Sequence, residues 1–254
     1  YWEKARTGKA KIISVTGEPG IGKTRLIDAF KDEVSSNNIM WMRGYCSVHL
    51  RNSAFQPLRE MWFRYNQVNP NLKDVELRKA IQQKIKNTGL DFQEVELLLM
   101  GNIGKDKSSN LKFQTRDQIA KMYMEWMHAA SIDKPLIFVL EDLHYIDPSS
   151  LEVLEYLVDN IGPERLLMIF TFRPEFSCPW SNHPAVSTIN LNRLSPNETK
   201  KIVAHMAGVK AFPSEVIDHV VDKTDGVPLF IEELTTTIKE SDMLADEGSH
   251  YTLK

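Results

Sequence analysis

The sequence predicts an α/β fold in which helices cover both faces of a parallel sheet, followed by a smaller helical subdomain. Short apolar runs alternate with helical segments as far as residue 191. The connections between the runs have crossover length, which is typical of parallel strands. After residue 191 the sequence predicts helices and no further strand. We therefore expect one domain over 1–191 and a second over 192–254.

The composition is that of a globular protein. Of the 254 residues, 42% are hydrophobic and 26% are charged, and the formal net charge is −3. This balance argues against a dedicated nucleic-acid binder, because phosphate contacts usually need a basic face. Cys46 and Cys178 lack the spacing of a zinc site or disulfide framework, so a reducing, cytoplasmic compartment is expected. The apolar runs fall short of the ~20 residues that a membrane helix needs.

Five strands are predicted from apolar runs that are bounded by turn residues. The runs have the length of buried strands, and Pro135 introduces the third of them. They cover residues 11–16, 39–46, 136–140, 166–172 and 186–191.

Helices are predicted from apolar spacing and capping residues. The long stretch 54–130 is mostly helical, apart from a polar loop over 101–110. Its clearest stripe repeats at three- and four-residue intervals and indicates core packing; the stripe comprises Ile119, Met122, Tyr123, Trp126, Met127 and Ala130. Asp147 is expected to cap one helix, and Ser195 opens another with a capping box. Two more helices are expected over 214–224 and 228–240.

A phosphate-binding motif follows the first predicted strand. Its pattern is G-x-x-x-x-G-K-[ST], and it consists of Gly17, Glu18, Pro19, Gly20, Ile21, Gly22, Lys23 and Thr24. Glycines let successive backbone N–H groups converge on phosphate oxygens at a helix N-terminus, where the dipole also favours anions. Lys23 is expected to reach the β- and γ-phosphates, and the Thr24 hydroxyl to ligate Mg²⁺. The motif predicts a P-loop within a three-layer α/β/α fold.

Two carboxylates end the third predicted strand. A strand that closes on Glu141 and Asp142 has the Walker B arrangement, in which one acid holds Mg²⁺ and the other polarises the attacking water. Which residue takes which role stays open. Arg173 closes the next strand and is placed to sense a γ-phosphate, although a pair with Glu175 is an alternative.

Four motifs, in this order and spacing, resemble the STAND class of signal-transduction P-loop ATPases, which is related to the AAA+ ATPases. The motifs are Gly-Glu-Pro-Gly-Ile-Gly-Lys-Thr-Arg-Leu, Leu-Glu-Asp-Leu-His-Tyr-Ile-Asp, Thr-Phe-Arg-Pro-Glu and Asp-Gly-Val-Pro-Leu-Phe-Ile-Glu-Glu-Leu. The likeness spans 12–244 and is strongest to modules attached to nucleotide cyclases and to LuxR-type regulators.

The resemblance implies further site residues and an incomplete chain. Arg25 belongs to the matching Walker A series, Arg173 would be the sensor-1 arginine, and Pro228 would pack the lid subdomain against adenine. An upstream adenine-pocket segment and a downstream winged-helix domain are expected in the family. We therefore expect an excerpt of a longer protein, with a lid truncated at its C-terminal end. Glu141 stands where many relatives have Asp, which permits slow turnover.

Three functions are compatible with these residues. The preferred hypothesis is an ATP-binding, slowly hydrolysing switch that uses ATP/ADP and Mg²⁺, carries effector or sensor domains outside this sequence, and can self-associate when ATP is bound. The second is an AAA+-type motor or loader acting on nucleic acid or protein, for which the loop Lys105-Asp106-Lys107 is a weak candidate contact. The third is an adaptor that keeps ATP unhydrolysed.

Overall fold

The described residues of a computed structural model form two compact units. The first unit comprises 1–16 and 30–189, and the second comprises 17–29 and 190–254. The structure describes residues 1–35, 38–86, 88–100, 116–208, 211–241, 244–247 and 251–253. The predicted loop over 101–110, with the candidate Lys105-Asp106-Lys107, lies outside them.

A five-stranded sheet forms the centre of the first unit. Its strands are β1 (Lys11–Thr16), β2 (Met40–Tyr45), β3 (Leu136–Glu141), β4 (Leu166–Phe172) and β5 (Val186–Asn190). They lie in the order β2-β3-β4-β1-β5, and the pairs β2–β3, β3–β4 and β4–β1 are parallel. Every residue of β3 and β4 is buried, as expected for central strands covered on both faces. The predicted α/β fold with a parallel sheet is confirmed.

The register brings several strand ends to one edge of this sheet. Thr16 pairs with Phe172, and Leu140 pairs with Phe170. The carboxyl ends of β1, β3 and β4 therefore meet at the same edge. In open α/β sheets this is the edge at which ligands bind.

Helices flank the sheet and supply most of the insertion between β2 and β3. They are α1 (Trp2–Arg6), α2 (Lys23–Val34), α3 (Gln56–Asn66), α4 (Asp74–Ile85), α5 (Phe92–Leu99), α6 (Arg116–Asp133) and α7 (Pro148–Asp159). The predicted apolar stripe on α6 is core: Tyr123 is 1% exposed, and Trp126 packs edge-on against it. Burial raises the pKa of the Tyr123 hydroxyl. No helix among the described residues is long and apolar enough to cross a membrane.

The second unit comprises the P-loop segment 17–29 and residues 190–254. We use the name lid for the part of it that was predicted as a separate subdomain, 192–254. Three helices of the lid match the predicted ones: α8 (Pro196–Ala207), α9 (Ser214–Thr224) and α10 (Pro228–Glu240). The predicted capping box is present, with reciprocal hydrogen bonds between Ser195 and Glu198. These bonds lower the pKa of the Glu198 carboxyl.

The expectation that no strand follows residue 191 is wrong. An antiparallel pair is formed by β6 (Leu244–Asp246) and β7 (Tyr251–Leu253). Each strand has three residues, which is too short to give a readable alternation of apolar and polar positions. The pair is held by tertiary contacts, since the Tyr251 ring stacks on Phe212 and its N–H donates to the Ala211 carbonyl.

Candidate functional site

The P-loop between β1 and α2 has a backbone that only glycine adopts readily. Gly20 and Gly22 have φ angles of +74° and +101°, a region disfavoured for residues with a Cβ atom. A Cβ atom at Gly17 would lie 2.7 Å from Cγ2 of Ile21 and 3.0 Å from the carbonyl oxygen of Leu191. Gly17 is therefore required because neighbouring atoms approach it closely, and Gly20 and Gly22 are required because of their backbone conformation.

Lys23 begins α2, and its side chain folds back over the loop. Its ammonium Nζ donates to the carbonyl oxygens of Gly17 and Glu18 at 2.8 and 2.9 Å, and the residue is 8% exposed. Thr24 follows at the exposed start of the helix, and Pro19 is exposed in the loop. The first N–H groups of a helix have no intrahelical acceptor, so they favour an anion beside Lys23.

The start of α10 contacts the P-loop within the second unit. The backbone N–H of Leu229 donates to the carbonyl oxygen of Gly20 at 3.2 Å. A Cβ atom at Gly20 would meet Cβ of Leu229 at 3.0 Å and Cγ1 of Val227 at 3.2 Å. Pro228 stands between these two residues, in the first turn of α10. The Gly-Val-Pro segment of the lid and the phosphate loop thus form one packed structure.

Ion pairs reinforce this contact. Arg25, directly after the P-loop, pairs with Glu232 of α10. Arg193, between β5 and α8, pairs with both Glu18 and Asp225, and its Nε lies 2.9 Å from Oε2 of Glu18. These acidic partners, Glu18 first, raise the pKa of the Arg193 guanidinium. Because the groups are exposed, each pair adds only modest stability and is sensitive to salt.

The two Walker B acids have different surroundings in the first unit. Glu141 is the last residue of β3 and is 1% exposed. Its Oε1 accepts a hydrogen bond from Nε of Arg43 at 2.5 Å. Asp142 is half-buried and has a left-handed backbone with a φ angle of +59°, while its N–H donates to Oγ1 of Thr171 at 3.1 Å. The carboxylate of Glu141 is thus hydrogen-bonded to an arginine inside the fold. The backbone of Asp142, in contrast, adopts the left-handed conformation of a tight turn.

Arg173 follows β4 at the same sheet edge. Its guanidinium donates to the hydroxyl of Tyr145 at 3.0 Å and lies 5.4 Å from the centre of that ring. Oε1 of Glu175 lies 3.9 Å from Nη1 of Arg173, so the two residues also form an ion pair. The first unit therefore brings Arg173 to the strand edge where Glu141 and Asp142 lie, and a γ-phosphate-sensing role stays a prediction.

Two arginines that pair with predicted site residues, one in each unit, were not found from the sequence. Arg43 lies 98 positions from Glu141, and Arg193 lies 175 positions from Glu18. Such pairs leave no local spacing signal. The fold alone brings them together.

The side chains present fit a nucleotide and Mg²⁺. In the second unit, the Thr24 hydroxyl is a hard oxygen donor, the type that Mg²⁺ prefers, and Lys23 supplies a cation for phosphate. In the first unit, the carboxylates of Glu141 and Asp142 are donors of the same type. Over the residues that the structure describes, no three His, Cys, Asp or Glu side chains form a metal-binding cluster.

The chain belongs to the AAA ATPase domain family, whose model matches residues 1–169. A second family, a domain of unknown function, matches residues 195–250. The first match confirms the AAA+-related P-loop ATPase resemblance drawn from the motifs.

Curated relatives are larger than this chain. An uncharacterized protein of Rhizobium meliloti (strain 1021) is 22% identical over an alignment of 253 residues, and the match covers 94% of this chain and 24% of that protein. Adenylate cyclase type 10 of Rattus norvegicus is 22% identical over an alignment of 136 residues, and the match covers 52% of this chain and 8% of the cyclase. The chain therefore spans about a quarter or less of the length of these relatives.

Among solved structures, the chain is similar to a Signal Transduction ATPase with Numerous Domains (STAND) protein with a tetratricopeptide repeat sensor from Pyrococcus horikoshii. The identity is 17%, the TM-score is 0.46, and the match covers 93% of this chain and 31% of that one.

Proposed function

We propose that this AAA ATPase domain is an ATP-binding, slowly hydrolysing switch module of a larger signalling or regulatory protein. The observation that carries the proposal is the contact of the P-loop with the start of α10, where the Leu229 N–H donates to the Gly20 carbonyl. A phosphate bound by the loop would act directly on the backbone that holds α10. Occupancy of the loop and the position of the lid are then coupled.

Different residues of the chain would contact different parts of the nucleotide. Backbone N–H groups at the start of α2 and the ammonium of Lys23 would hold phosphates, and Thr24 would offer its hydroxyl to Mg²⁺. Bound Mg²⁺ would neutralise charge on the phosphates. Pro228 would border the adenine. Arg173, held by Tyr145, would report the presence of the terminal phosphate.

The two acids are assigned from their environments. Glu141 is engaged by Arg43 and almost wholly buried, so its orientation is fixed and its charge is compensated. Asp142 is partly exposed at the turn. We assign the metal to Asp142 and the orientation of water to Glu141.

The switch uses the ion pairs between loop and lid. Arg193 joins Glu18 of the P-loop to Asp225, beside the lid's Gly226. A phosphate held by the loop adds negative charge beside Glu18 and would alter this three-residue contact. Hydrolysis would reset it, with the response passed to attached domains or to another copy of the chain. Two free thiols, Cys46 and Cys178, fit a cytoplasmic setting.

The proposal is tested by nucleotide affinity in wild type and Lys23→Ala. Removal of a charge-assisted phosphate contact is expected to weaken MgATP binding by about 10- to 100-fold, measured by isothermal titration calorimetry. Lys31→Ala is the matched control, because Lys31 lies on the same helix with its ammonium over the Trp41 ring. Equal MgATP affinity for Lys23→Ala and Lys31→Ala would contradict the P-loop assignment.

An adaptor that retains ATP unhydrolysed is the second candidate function. It is favoured by the ion pair between Glu141 and Arg43, which engages the Glu141 carboxylate. It predicts MgATP binding without conversion to ADP. A motor or loader would show nucleic-acid- or protein-stimulated turnover in a ring assembly. Slow turnover without such stimulation supports the switch.

A further inference from the structure

A cleft of about 640 Å³ lies in the insertion of the first unit, where α4 turns into α5. This volume falls within the range of small-molecule sites, roughly 300–1,000 Å³. One wall is the C-terminal half of α4, and the other contains Gly89, Leu90 and Phe92, at the turn into α5. The lining residues are distinct from those proposed to contact the nucleotide.

The wall formed by α4 carries two positive charges. Its side chains Lys79, Gln82, Gln83 and Lys86 line the cleft and are exposed. Their spacing of three, four and seven residues places them on one face of the helix, and the two lysines lie about 10.5 Å apart along its axis. Over the described part of the chain, neither lysine forms an ion pair, and the described lining includes no carboxylate. The cleft therefore favours an anion.

The inner part of the cleft is apolar. Ile85 is 5% exposed, and Leu90 and Phe92 are half-buried and pack against the hydrophobic core of the first unit. All three line the cleft. A ligand that fills it would therefore meet apolar side chains on one side and ammonium and amide groups on the other, which suits an amphipathic molecule.

The chain's own bonds fix the two walls relative to each other. The N–H and the hydroxyl of Thr88 both donate to the Ile85 carbonyl, at 2.9 and 2.8 Å, and the Leu90 N–H donates to Oγ1 of Thr88 at 3.4 Å. Nη1 of Arg78, on α4, lies 2.6 Å from Oε1 of Glu96, on α5. A ligand would not have to order these walls, which lowers the cost of binding.

We propose that this cleft binds a small aliphatic carboxylate, with its acidic group at the lysines and its chain along the apolar lining. The flexible stems of Lys79 and Lys86 let their ammonium groups approach one carboxylate and donate charge-assisted hydrogen bonds to it. The aliphatic chain would displace water from Ile85, Leu90 and Phe92. A cation would be repelled by the lysines, and inorganic phosphate would leave the apolar side chains uncovered. The site does not depend on ATP binding or hydrolysis.

Decanoate, used below its micelle concentration, is the probe, and isothermal titration calorimetry measures its affinity for the whole chain. We expect one molecule to bind. The double variant Lys79→Gln, Lys86→Gln should bind it at least about tenfold more weakly, because charge-assisted contacts are lost. Lys84→Gln is the matched control, since Lys84 lies in the last turn of the same helix but does not line the cleft. Its affinity should equal that of wild type.

Two further ligands separate the contributions of charge and chain. Decan-1-ol keeps the chain without the charge, and acetate keeps the charge without the chain, so each should bind at least about tenfold more weakly than decanoate. The proposal is overturned if decanoate does not bind, or if the double variant and Lys84→Gln bind it equally. It is also overturned if decan-1-ol or acetate binds as tightly as decanoate. MgATP affinity should be the same in all of these variants, so the proposed nucleotide site is tested independently.

Discussion

Asp147 ties the insertion to the sheet region through one carboxylate. The residue is 2% exposed, and its Oδ1 accepts from the N–H groups of Ser150 and Phe55 at 2.9 and 3.1 Å. Its Oδ2 accepts from the Ser150 hydroxyl at 2.5 Å. It is the predicted cap of α7, and the bond to Phe55, at the start of the insertion, adds a long-range role that local spacing could not reveal.

Asp147→Ala is expected to destabilise the protein by about 2–4 kcal/mol, because it removes a helix cap and leaves a buried N–H without an acceptor. Urea unfolding measures the change. The comparison is Asp91→Ala, since Asp91 caps α5 from an exposed position and its loss should cost about 1 kcal/mol. Equal losses would show that the bond to Phe55 contributes nothing.

Candidate site residues can be predicted where the chemistry is contiguous in sequence. The prediction of a P-loop over Gly17 to Thr24 rests on such a pattern, because a phosphate cradle needs fixed spacing of glycines and lysine. Arg43 and Arg193 could not be predicted, since each forms an ion pair with a residue that is remote in the sequence. Their partners follow from strand register and from lid packing.

At the level of elements, the predicted strands and lid helices match the structure to within one or two residues. Their signals are local: continuous apolar runs in β3 and β4, and a capping box at Ser195. The short pair β6 and β7 was missed because tertiary contacts at Phe212 and Ala211 stabilise it. The turn before α10 likewise depends on a remote contact, through Gly226.

Gly226→Ala should disrupt the lid. Gly226 has a φ angle of +71°, and a Cβ atom there would lie 2.2 Å from the Leu194 carbonyl oxygen, while the Gly226 carbonyl accepts from the Leu194 N–H at 2.8 Å. Backbone strain and overpacking together predict a loss of about 2–5 kcal/mol in the free energy of unfolding.

Gly208→Ala is the matched control for that variant. Its φ angle is +74°, yet nothing lies within 4 Å of a Cβ atom built there. Thermal denaturation followed by circular dichroism should show only the conformational cost, about 1–2 kcal/mol. If the two variants lost the same stability, the packing of Gly226 against Leu194 would not constrain the lid.

At the scale of the whole molecule, the chain is an AAA ATPase domain that spans 24% of the length of its Rhizobium meliloti relative. Sequence motifs were sufficient for the family and the sheet, because both depend on contiguous segments. The partners of the proposed switch could not be predicted, since an interaction surface is assembled from residues that are remote in sequence and has no fixed spacing.

The central claim is that the module binds ATP and hydrolyses it slowly. The most direct measurement incubates excess wild-type protein with MgATP and follows the ratio of bound ADP to bound ATP by chromatography of the quenched complex. Lys23→Ala and Lys31→Ala serve as the inactive and matched variants. We expect wild type and Lys31→Ala to retain nucleotide that converts progressively to ADP, and Lys23→Ala to retain little. Wild-type protein that retains no nucleotide, or that holds ATP unchanged throughout, would contradict the account.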